Sequence, residues 1–226
     1  MQNIIKYTGR FLCIVIVMVT AFSFSACGDG GGDGGGGGGG GSGKEGTFTS
    51  IADMKAWLSA QPNNTAATAH TIRLNVNSLG GNSFTSGSAG NVLFDSKYVN
   101  LDLSGSTITS IENKAFSNCH SLTSITIGSS VTSITMGDYS DDNAFYDCPS
   151  LTAINVNSGN TTYSSENGVL YDKNKTVLYK CPEGKTGDFT IPSGVTSIMN
   201  NAFYFCQKLT SVTIPDSVLS IEDSAF

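Results

Sequence analysis

The chain repeats one pattern of apolar residues, and this repeat restricts its possible folds more than any other feature. A branched residue, an Ala-Phe pair, a cysteine, a leucine and two further branched residues recur in the same order. Phe203 and Phe226 mark the last two copies and are 23 residues apart. A constant period of this length predicts a solenoid, in which each unit forms one coil and buries its apolar face only against its neighbours.

Two insertions interrupt this period. The step from Phe116 to Phe145 is 29 residues, so one unit holds six extra residues within positions 135–143. The step from Phe145 to Phe203 is 58 residues, which corresponds to two units and an island of twelve extra residues. Insertions at fixed points of a constant frame are what the loops of a solenoid tolerate.

Each unit also contains a short segment in which apolar and polar residues alternate, and this predicts one β-strand per coil. Five such segments are present: Leu101–Leu103, Ile125–Ile127, Ile154–Val156, Phe189–Ile191 and Val212–Ile214. We expect these strands to stack as one parallel sheet, with the phenylalanines filling the return path between coils. The predicted fold class is therefore a β-rich repeat solenoid with short parallel strands.

The repeat resembles the BspA-like leucine-rich repeat family. Copies such as Ala115-Phe116-x2-Cys119-x2-Leu122-x2-Ile125-x-Ile127 carry the resemblance, which covers about residues 98–226. The resemblance implies a curved leucine-rich-repeat solenoid that is exposed on the cell surface. It also implies adhesion to host proteins or other cells, which is frequent in that family.

The island, residues 160–188, resembles a recurrent insertion of the same family. Independently of that resemblance, the segment Gly168–Tyr179 predicts a β-hairpin with its turn at Asp172–Lys175. Tyrosine is frequent at binding hot spots, so exposed tyrosines of the island would suit a binding partner. The candidate anchors are Tyr163, Tyr171 and Tyr179.

Residues 1–26 have the layout of an export signal, because two basic residues precede an apolar run at 11–24 and small residues follow it. The run is shorter than the ~20 residues that span a bilayer core. Its end, Phe24-Ser25-Ala26-Cys27, resembles the lipobox of bacterial lipoproteins, which implies a cleaved signal peptide and lipidation of Cys27. An ordinary cleaved signal and a retained membrane helix are the alternatives.

A tether rich in glycine follows at residues 27–46. Such a segment cannot bury apolar area, and residues 28–43 would span roughly 20–25 Å as a flexible coil. This length suits a folded domain that is held off a membrane. We therefore expect an exported lipoprotein, anchored at the outer membrane or the cell surface, that contacts the membrane only through its lipid.

Residues 47–97 do not fit the repeat, and we predict that they form a small α/β cap over the first coil. A helix is expected to start at Ser50, and residues 72–76 alternate as a strand. A separate small domain is the alternative. At the other end the repeat stops within a unit at Phe226, so we expect an uncapped end and an open edge near Val212–Ile214.

Three cysteines occupy the same position of the repeat, namely Cys119, Cys148 and Cys206. We predict a ladder of small buried side chains, one per coil, with a disulfide or metal site as the alternative. Cys181 lies in the island without an obvious partner, and no CxxC spacing suggests zinc. The acidic loop at 138–143 leaves calcium as an alternative to a solvated turn.

Charge and motifs disfavour several classes of function. The net charge of −6 and the absence of a basic stripe disfavour nucleic-acid binding. No GxSxG elbow is present and no Cys-His pairing is suggested, so we expect no enzyme, no cofactor and no catalytic or metal residues.

With nucleic-acid binding and catalysis disfavoured, the function that we expect is binding through the open face of the sheet. Its outward positions carry small polar side chains: Asp102, Ser124, Thr126, Asn155, Ser211 and Thr213. We therefore expect a protein-binding or adhesion module whose partners are host or microbial surface or matrix proteins. A structural or self-assembling envelope protein is the alternative.

Overall fold

The computed structural model describes residues 4–7, 43–94, 97–137 and 142–226. The candidate lipidation site at Cys27, most of the leader and the glycine tether up to residue 42 lie outside these ranges. Within the ranges, no helix combines the length and the apolar character that crossing a membrane requires.

The described residues form two α-helices and fifteen short strands. The helices are α1 (Ile51–Ala60) and α2 (Ala89–Phe94). The first strands are β1 (Ile4–Tyr7), β2 (Glu45–Phe48), β3 (His70–Leu74), β4 (Val99–Asp102), β5 (Ser110–Ile111), β6 (Leu122–Ile127), β7 (Ser133–Ile134) and β8 (Ala153–Val156). The remaining strands are β9 (Tyr163–Glu166), β10 (Val169–Asp172), β11 (Val177–Lys180), β12 (Gly187–Thr190), β13 (Ser197–Ile198), β14 (Leu209–Ile214) and β15 (Ser220–Ile221).

Three of the five expected strands stack in parallel as predicted. β4, β6 and β8 are neighbours, and the cap strands extend the same sheet in the order β2-β3-β4-β6-β8. Alternation within each strand decides which face is buried. In β4, for example, Val99 and Leu101 are buried in the core, whereas Asn100 and Asp102 are only half-buried. The β-rich repeat fold is confirmed.

The cap contains the helix and the strand that the sequence predicts. The Ser50 Oγ accepts a hydrogen bond of 3.1 Å from the backbone N–H of Asp53 at the start of α1. Met54 and Leu58 are buried on one face of that helix, and Trp57 packs partly buried against the same core. Helix α1 thus packs against β2 and β3, and these two strands continue the first sheet.

The expectation of one continuous sheet is wrong, because the island takes the place beside β8. The backbone N–H of Ile154 donates to the carbonyl of Gly168, and that of Val156 donates to Ser165 Oγ. β12 and β14 therefore pair with each other in a separate parallel sheet. Position 168, which lies against β8, requires glycine for two reasons. A Cβ there would lie 2.9 Å from the Cβ of Ala153, and the φ of Gly168 is +76°.

The island hairpin is confirmed, and it organises a second sheet. β9, β10 and β11 pair antiparallel, and β11 continues through parallel β13 and β15. The turn is held by the Asp172 carboxylate, which accepts hydrogen bonds from the backbone N–H groups of Thr176 at 2.6 Å and Val177 at 2.7 Å. β14 is not an edge strand as expected at Val212–Ile214, because β1 pairs along it in parallel.

The phenylalanines of the repeat stack along the return path, as predicted. The rings of Phe116 and Phe145 lie 5.9 Å apart and nearly parallel, and those of Phe203 and Phe226 lie 4.8 Å apart. Phe116, Phe145 and Phe203 are buried. Backbone bonds link the same turns, since the N–H of Phe116 donates to the carbonyl of Ala144.

The cysteine ladder is also confirmed, because Cys119, Cys148 and Cys206 are buried free thiols. Each thiol donates to a backbone carbonyl earlier in the chain. The acceptors are Gly90 at 3.4 Å, Phe116 at 3.0 Å and Cys181 at 3.4 Å. The sulfur atoms therefore act as small side chains between stacked turns.

A buried ion pair connects the turn before the island to the turn after it. Lys180 Nζ lies 3.7 Å from Glu183 Oε1, and both side chains are almost fully buried. The Glu183 carboxylate accepts hydrogen bonds from the backbone N–H groups of Asp147 at 3.1 Å and Cys148 at 2.7 Å. Lys180 donates to the carbonyl of Asn201 at 3.3 Å and to that of Tyr204, also on the later turn.

Replacing Phe145 by Ala should lower the free energy of unfolding by about 3–5 kcal/mol, because a fully buried ring leaves a cavity between two coils. Chemical denaturation of the purified chain measures this change. Leu219→Ala is the control, since Leu219 is 85% exposed. Equal stability of the Phe145 variant and the wild type would contradict the stacked arrangement.

Replacing Glu183 by Gln should change how stability depends on pH. Burial raises the pKa of Glu183 above its usual 4.5, although Lys180 and the amide of Cys148 oppose the shift. The folded state then holds this proton more tightly than the unfolded state. The stability that the group contributes is therefore complete below pH 4.5 and is lost as pH rises through the folded pKa.

We expect the wild type to lose stability relative to E183Q as pH rises through this window, in urea unfolding at several pH values. Glu222→Gln removes an exposed carboxylate and is the matched control. A constant difference between wild type and E183Q at all pH values would show that Glu183 does not titrate in this way.

Candidate functional site

The open face of the first sheet brings polar side chains into two rows that cross its strands. Strand register aligns the first row as Glu45, Thr71, Asn100, Ser124 and Ala153. It aligns the second row as Thr47, Arg73, Asp102, Thr126 and Asn155. The four candidates Asp102, Ser124, Thr126 and Asn155 therefore lie together on one face, none of them fully buried.

Hydrogen bonds and ion pairs between neighbouring strands order this face. Ser124 Oγ donates to Asn100 Oδ1 at 2.8 Å. Arg73 lies between two carboxylates, 3.0 Å from Glu45 and 3.8 Å from Asp102. These exposed pairs add little stability. Their effect is to give a surface of oriented hydroxyl, amide and charged groups, with two carboxylates around one guanidinium.

Ser211 and Thr213 do not belong to these rows. They lie on β14 and face Asp188 and Thr190 of β12, on the other side of the island. Ser211 Oγ donates to Asp188 Oδ1 at 2.7 Å, so this smaller face is ordered in the same manner. The expectation of one uninterrupted face is corrected to two faces on separate sheets.

Two of the three island tyrosines are buried and not exposed as expected, since Tyr163 and Tyr171 are 7% and 0% exposed. Both faces of β10 are covered: Leu170 packs in the core of the first half and Tyr171 in that of the second. Burial raises the pKa of Tyr171, whose hydroxyl has no hydrogen-bond partner in the described part of the chain. Tyr179 is only half-buried and packs edge-on against Tyr163.

An aromatic row along the turns is the feature that sequence reasoning missed. Ring contacts run from Phe84 to Phe94 at 5.9 Å and from Phe94 to His120 at 6.3 Å. They resume between Tyr146 and Phe205 at 6.0 Å, and between Tyr204 and Phe205 at 4.4 Å. We call the following residues the turn-edge aromatics: Phe84, Phe94, His120, Tyr146, Tyr204 and Phe205.

The two parts of this row are joined at His120, whose Nε2 lies 3.1 Å from Asp147 Oδ2. Asp147 directly follows Tyr146 in the sequence. The sequence does contain a signal for Tyr146, Tyr204 and Phe205. The two positions after each buried phenylalanine differ from unit to unit, and these aromatic residues occur there. Tyr146 and Tyr204 share the first of these positions.

Phe205 has a backbone conformation that bulky residues avoid. Its φ is +59°, and it is 40% exposed. The equivalent residues of other coils are Asn118 and Asp147, with φ of +58° and +53°. Asn and Asp tolerate this region, whereas other side chains are destabilised by roughly 1–2 kcal/mol. Strain of this kind is concentrated at functional sites.

The described side chains do not assemble into a metal centre. Among residues 43–94, 97–137 and 142–226, no three His, Cys, Asp or Glu side chains are grouped so that they could hold a metal ion. Most of the acidic loop considered for calcium, residues 138–141, lies outside the described chain. Burial raises the pKa of Cys119 to about 12, which keeps that thiol protonated and unreactive.

Three solved structures are similar to this chain. A leucine-rich repeat protein from Eubacterium ventriosum ATCC 27560 is 28% identical, with a TM-score of 0.49, over 82% of this chain and 57% of that one. A leucine rich cell surface protein from Faecalibacterium prausnitzii A2-165 is 22% identical, with a TM-score of 0.43, over 81% and 62%. The pneumococcal vaccine antigen PcpA is 16% identical, with a TM-score of 0.37, over 78% and 62%.

The chain therefore spans only about three fifths of the length of these similar structures. No curated protein is similar enough to count as a relative. The model of the BspA type leucine rich repeat region matches six copies, over residues 63–167 and 174–226. This match covers well over half of the sequence and includes the island except for residues 168–173. It also includes residues 63–97, so the expectation that residues 47–97 do not fit the repeat is wrong for most of that segment. The chain belongs to the BspA type leucine rich repeat family.

Proposed function

We propose that this chain is a cell-surface lipoprotein that binds other proteins, and that the turn-edge aromatics anchor the partner. The observation that carries the proposal is Phe205, an exposed aromatic residue in a strained backbone conformation. A residue that lowers stability at an exposed position is retained most readily when it contributes to binding.

The ring contacts around Phe205 favour an anchoring role. Aromatic residues contribute much of the energy of protein interfaces, particularly when they are clustered. Tyr146 and Tyr204 hold the Phe205 ring on two sides, so the cluster loses little side-chain freedom when a partner binds. In this proposal the cluster replaces the island tyrosines as the anchor, because Tyr163 and Tyr171 are buried.

The open face of the first sheet would supply hydrogen bonds around such an anchor. Its hydroxyl and amide groups are already oriented by contacts such as that of Ser124 with Asn100. Asp102, Thr126 and Asn155 lie in the adjoining row. Ser211 and Thr213 add a polar surface on the separate sheet of β12 and β14. Such groups favour recognition of a protein surface by contact rather than by catalysis.

Anchoring through a lipid on Cys27 rests on the lipobox-like sequence and on the glycine tether after it. The chain is acidic overall, with 18 Asp and Glu against 12 Lys and Arg, so electrostatic attraction to anionic headgroups is not expected. The lipid would therefore be the only membrane contact. The proposed partners are surface or matrix proteins of a host or of other microbes.

Replacing Phe205 by Asn tests the proposal by separating stability from binding. Asn relieves the strained φ, so the free energy of unfolding should rise by up to about 1 kcal/mol. Affinity for the partner should fall about tenfold or more, because an anchor ring is lost. The purified full chain is assayed for saturable binding to a panel of matrix proteins and to whole cells.

Leu219→Asn is the matched control, since Leu219 is the most exposed large apolar side chain among the described residues and is not one of the turn-edge aromatics. It should leave the affinity unchanged. The proposal is wrong if no member of the panel binds saturably, or if the Phe205 variant binds as tightly as the wild type.

Self-assembly in the envelope is the second candidate, and one observation favours it. In the structure β14 accepts a parallel strand, residues Ile4–Tyr7, along its outer edge. Removal of the leader, as proposed, would free that edge for a strand from another copy. Sedimentation of the processed chain should then show association that increases with concentration. A monomer at all concentrations would exclude this candidate.

A further inference from the structure

We propose that Cys181 and Cys206 form a disulfide bond when the chain matures in an oxidising compartment. The inference rests on the proposed export of the chain, because disulfides persist in such compartments and are rare in reducing ones. It adds a modification site to a ladder whose other members, Cys119 and Cys148, serve only as small buried side chains.

The two sulfur atoms lie in one small space between the island and the following coil. Cys206 Sγ is 3.4 Å from the carbonyl oxygen of Cys181 and 3.6 Å from that of Pro182. Cys181 Sγ is 3.9 Å from the same Pro182 oxygen. Burial raises the pKa of the Cys181 thiol, and the neighbouring Cys206 thiol raises it further. Both are free and buried in the structure.

The fold brings Cys181 to this place because it occupies a phenylalanine position of the repeat. Its backbone N–H donates to the carbonyl of Ala202, as that of Phe116 donates to Ala144. A phenylalanine ring here would fill the space before the next cysteine. The small Cys181 side chain places its thiol beside the Pro182 carbonyl oxygen that the Cys206 thiol also approaches, which sequence spacing alone does not indicate.

The other cysteine pair is a natural comparison. Cys119 and Cys148 occupy equivalent ladder positions, and their thiols donate to the carbonyls of Gly90 and Phe116. Neither acceptor belongs to a cysteine, whereas Cys206 donates to the carbonyl of Cys181 itself. We therefore expect both to stay reduced under conditions that oxidise Cys181 and Cys206.

The reaction removes one hydrogen from each thiol and forms one S–S bond. Two electrons and two protons pass to the disulfide of an oxidant, either a thiol–disulfide oxidoreductase or oxidised glutathione, which becomes a dithiol or two thiols. A cysteine attacks the oxidant as its thiolate, and burial disfavours the thiolate form. The disulfide should therefore form during folding or local opening, when the thiols are exposed. Once formed, it ties the island to the next coil and restricts the unfolded chain.

The test compares the full chain isolated from cells that export it with the same chain made in a reducing cytoplasm. Both are denatured, alkylated without reductant, digested and mapped by mass spectrometry. The exported chain should yield a cross-linked peptide joining Cys181 to Cys206, and dithiothreitol should remove it. Cys119 and Cys148 should be alkylated in both samples.

A second experiment tests the disulfide without requiring export of the chain. The cytoplasmic chain is unfolded and refolded with oxidised glutathione, and the same cross-linked peptide is expected. Failure in the exported sample alone would count against the proposed localisation. Full alkylation of Cys181 and Cys206 in the refolded sample, or linkage of Cys206 to Cys148, would overturn the disulfide itself.

Serine variants add a readout on stability. The oxidised wild type should unfold at higher urea concentration than the reduced form. Cys181→Ser and Cys206→Ser should lose this difference, and either one suffices if the other fails to fold. Cys148→Ser is the matched control and should keep both the cross-link and the difference between oxidised and reduced forms.

Discussion

The buried pair of Lys180 and Glu183 holds the two parts of the repeat stack together across the island. Glu183 satisfies backbone N–H groups of the turn before the island, and Lys180 satisfies carbonyls of the turn after it. Each buried backbone group left without a partner would cost about 1–3 kcal/mol. An apolar pair of the same size could fill the space, but it could not complete the hydrogen bonds of both turns. The registry of the later coils therefore depends on these two side chains.

The island has a second effect, which is to divide the surface. By occupying the place beside β8, it separates the polar rows of the first sheet from the smaller face of β12 and β14. It also turns Tyr163 and Tyr171 inward, since the island strands pack between two cores. Aromatic residues on the turns remain accessible, and there Tyr146 contacts Tyr204 and Phe205. Insertion and repeat together thus determine which polar and aromatic side chains are accessible.

Much of the fold could be predicted from local pattern. Alternation predicts the strands around Leu101, Ile125 and Ile154, and turn chemistry predicts the hairpin at Asp172, because both depend on residues close together in sequence. The division of the sheet could not be predicted in this way. It depends on which strand pairs with β8, and that choice is made by contacts such as Ile154 with Gly168, which are not encoded by a local pattern.

The candidate site shows the same division. The polar positions Asp102, Ser124, Thr126 and Asn155 follow directly from the two-residue period of a strand, and register places them in rows. The sequence places Tyr146 and Tyr204 at equivalent positions after a buried phenylalanine, but only the stacking of turns from separate coils reveals that Tyr146, Tyr204 and Phe205 meet.

The repeat thus determined by itself the solenoid class, the strand in each coil, the phenylalanine stack and the cysteine ladder. These follow from a fixed period in which equivalent residues must occupy equivalent places. Only the tertiary structure decided that the island breaks the sheet, that its tyrosines are buried and that Cys181 meets Cys206. The physical reason is that an insertion has no equivalent in the other coils, so its position is set by the backbone groups and the space that its neighbours leave open.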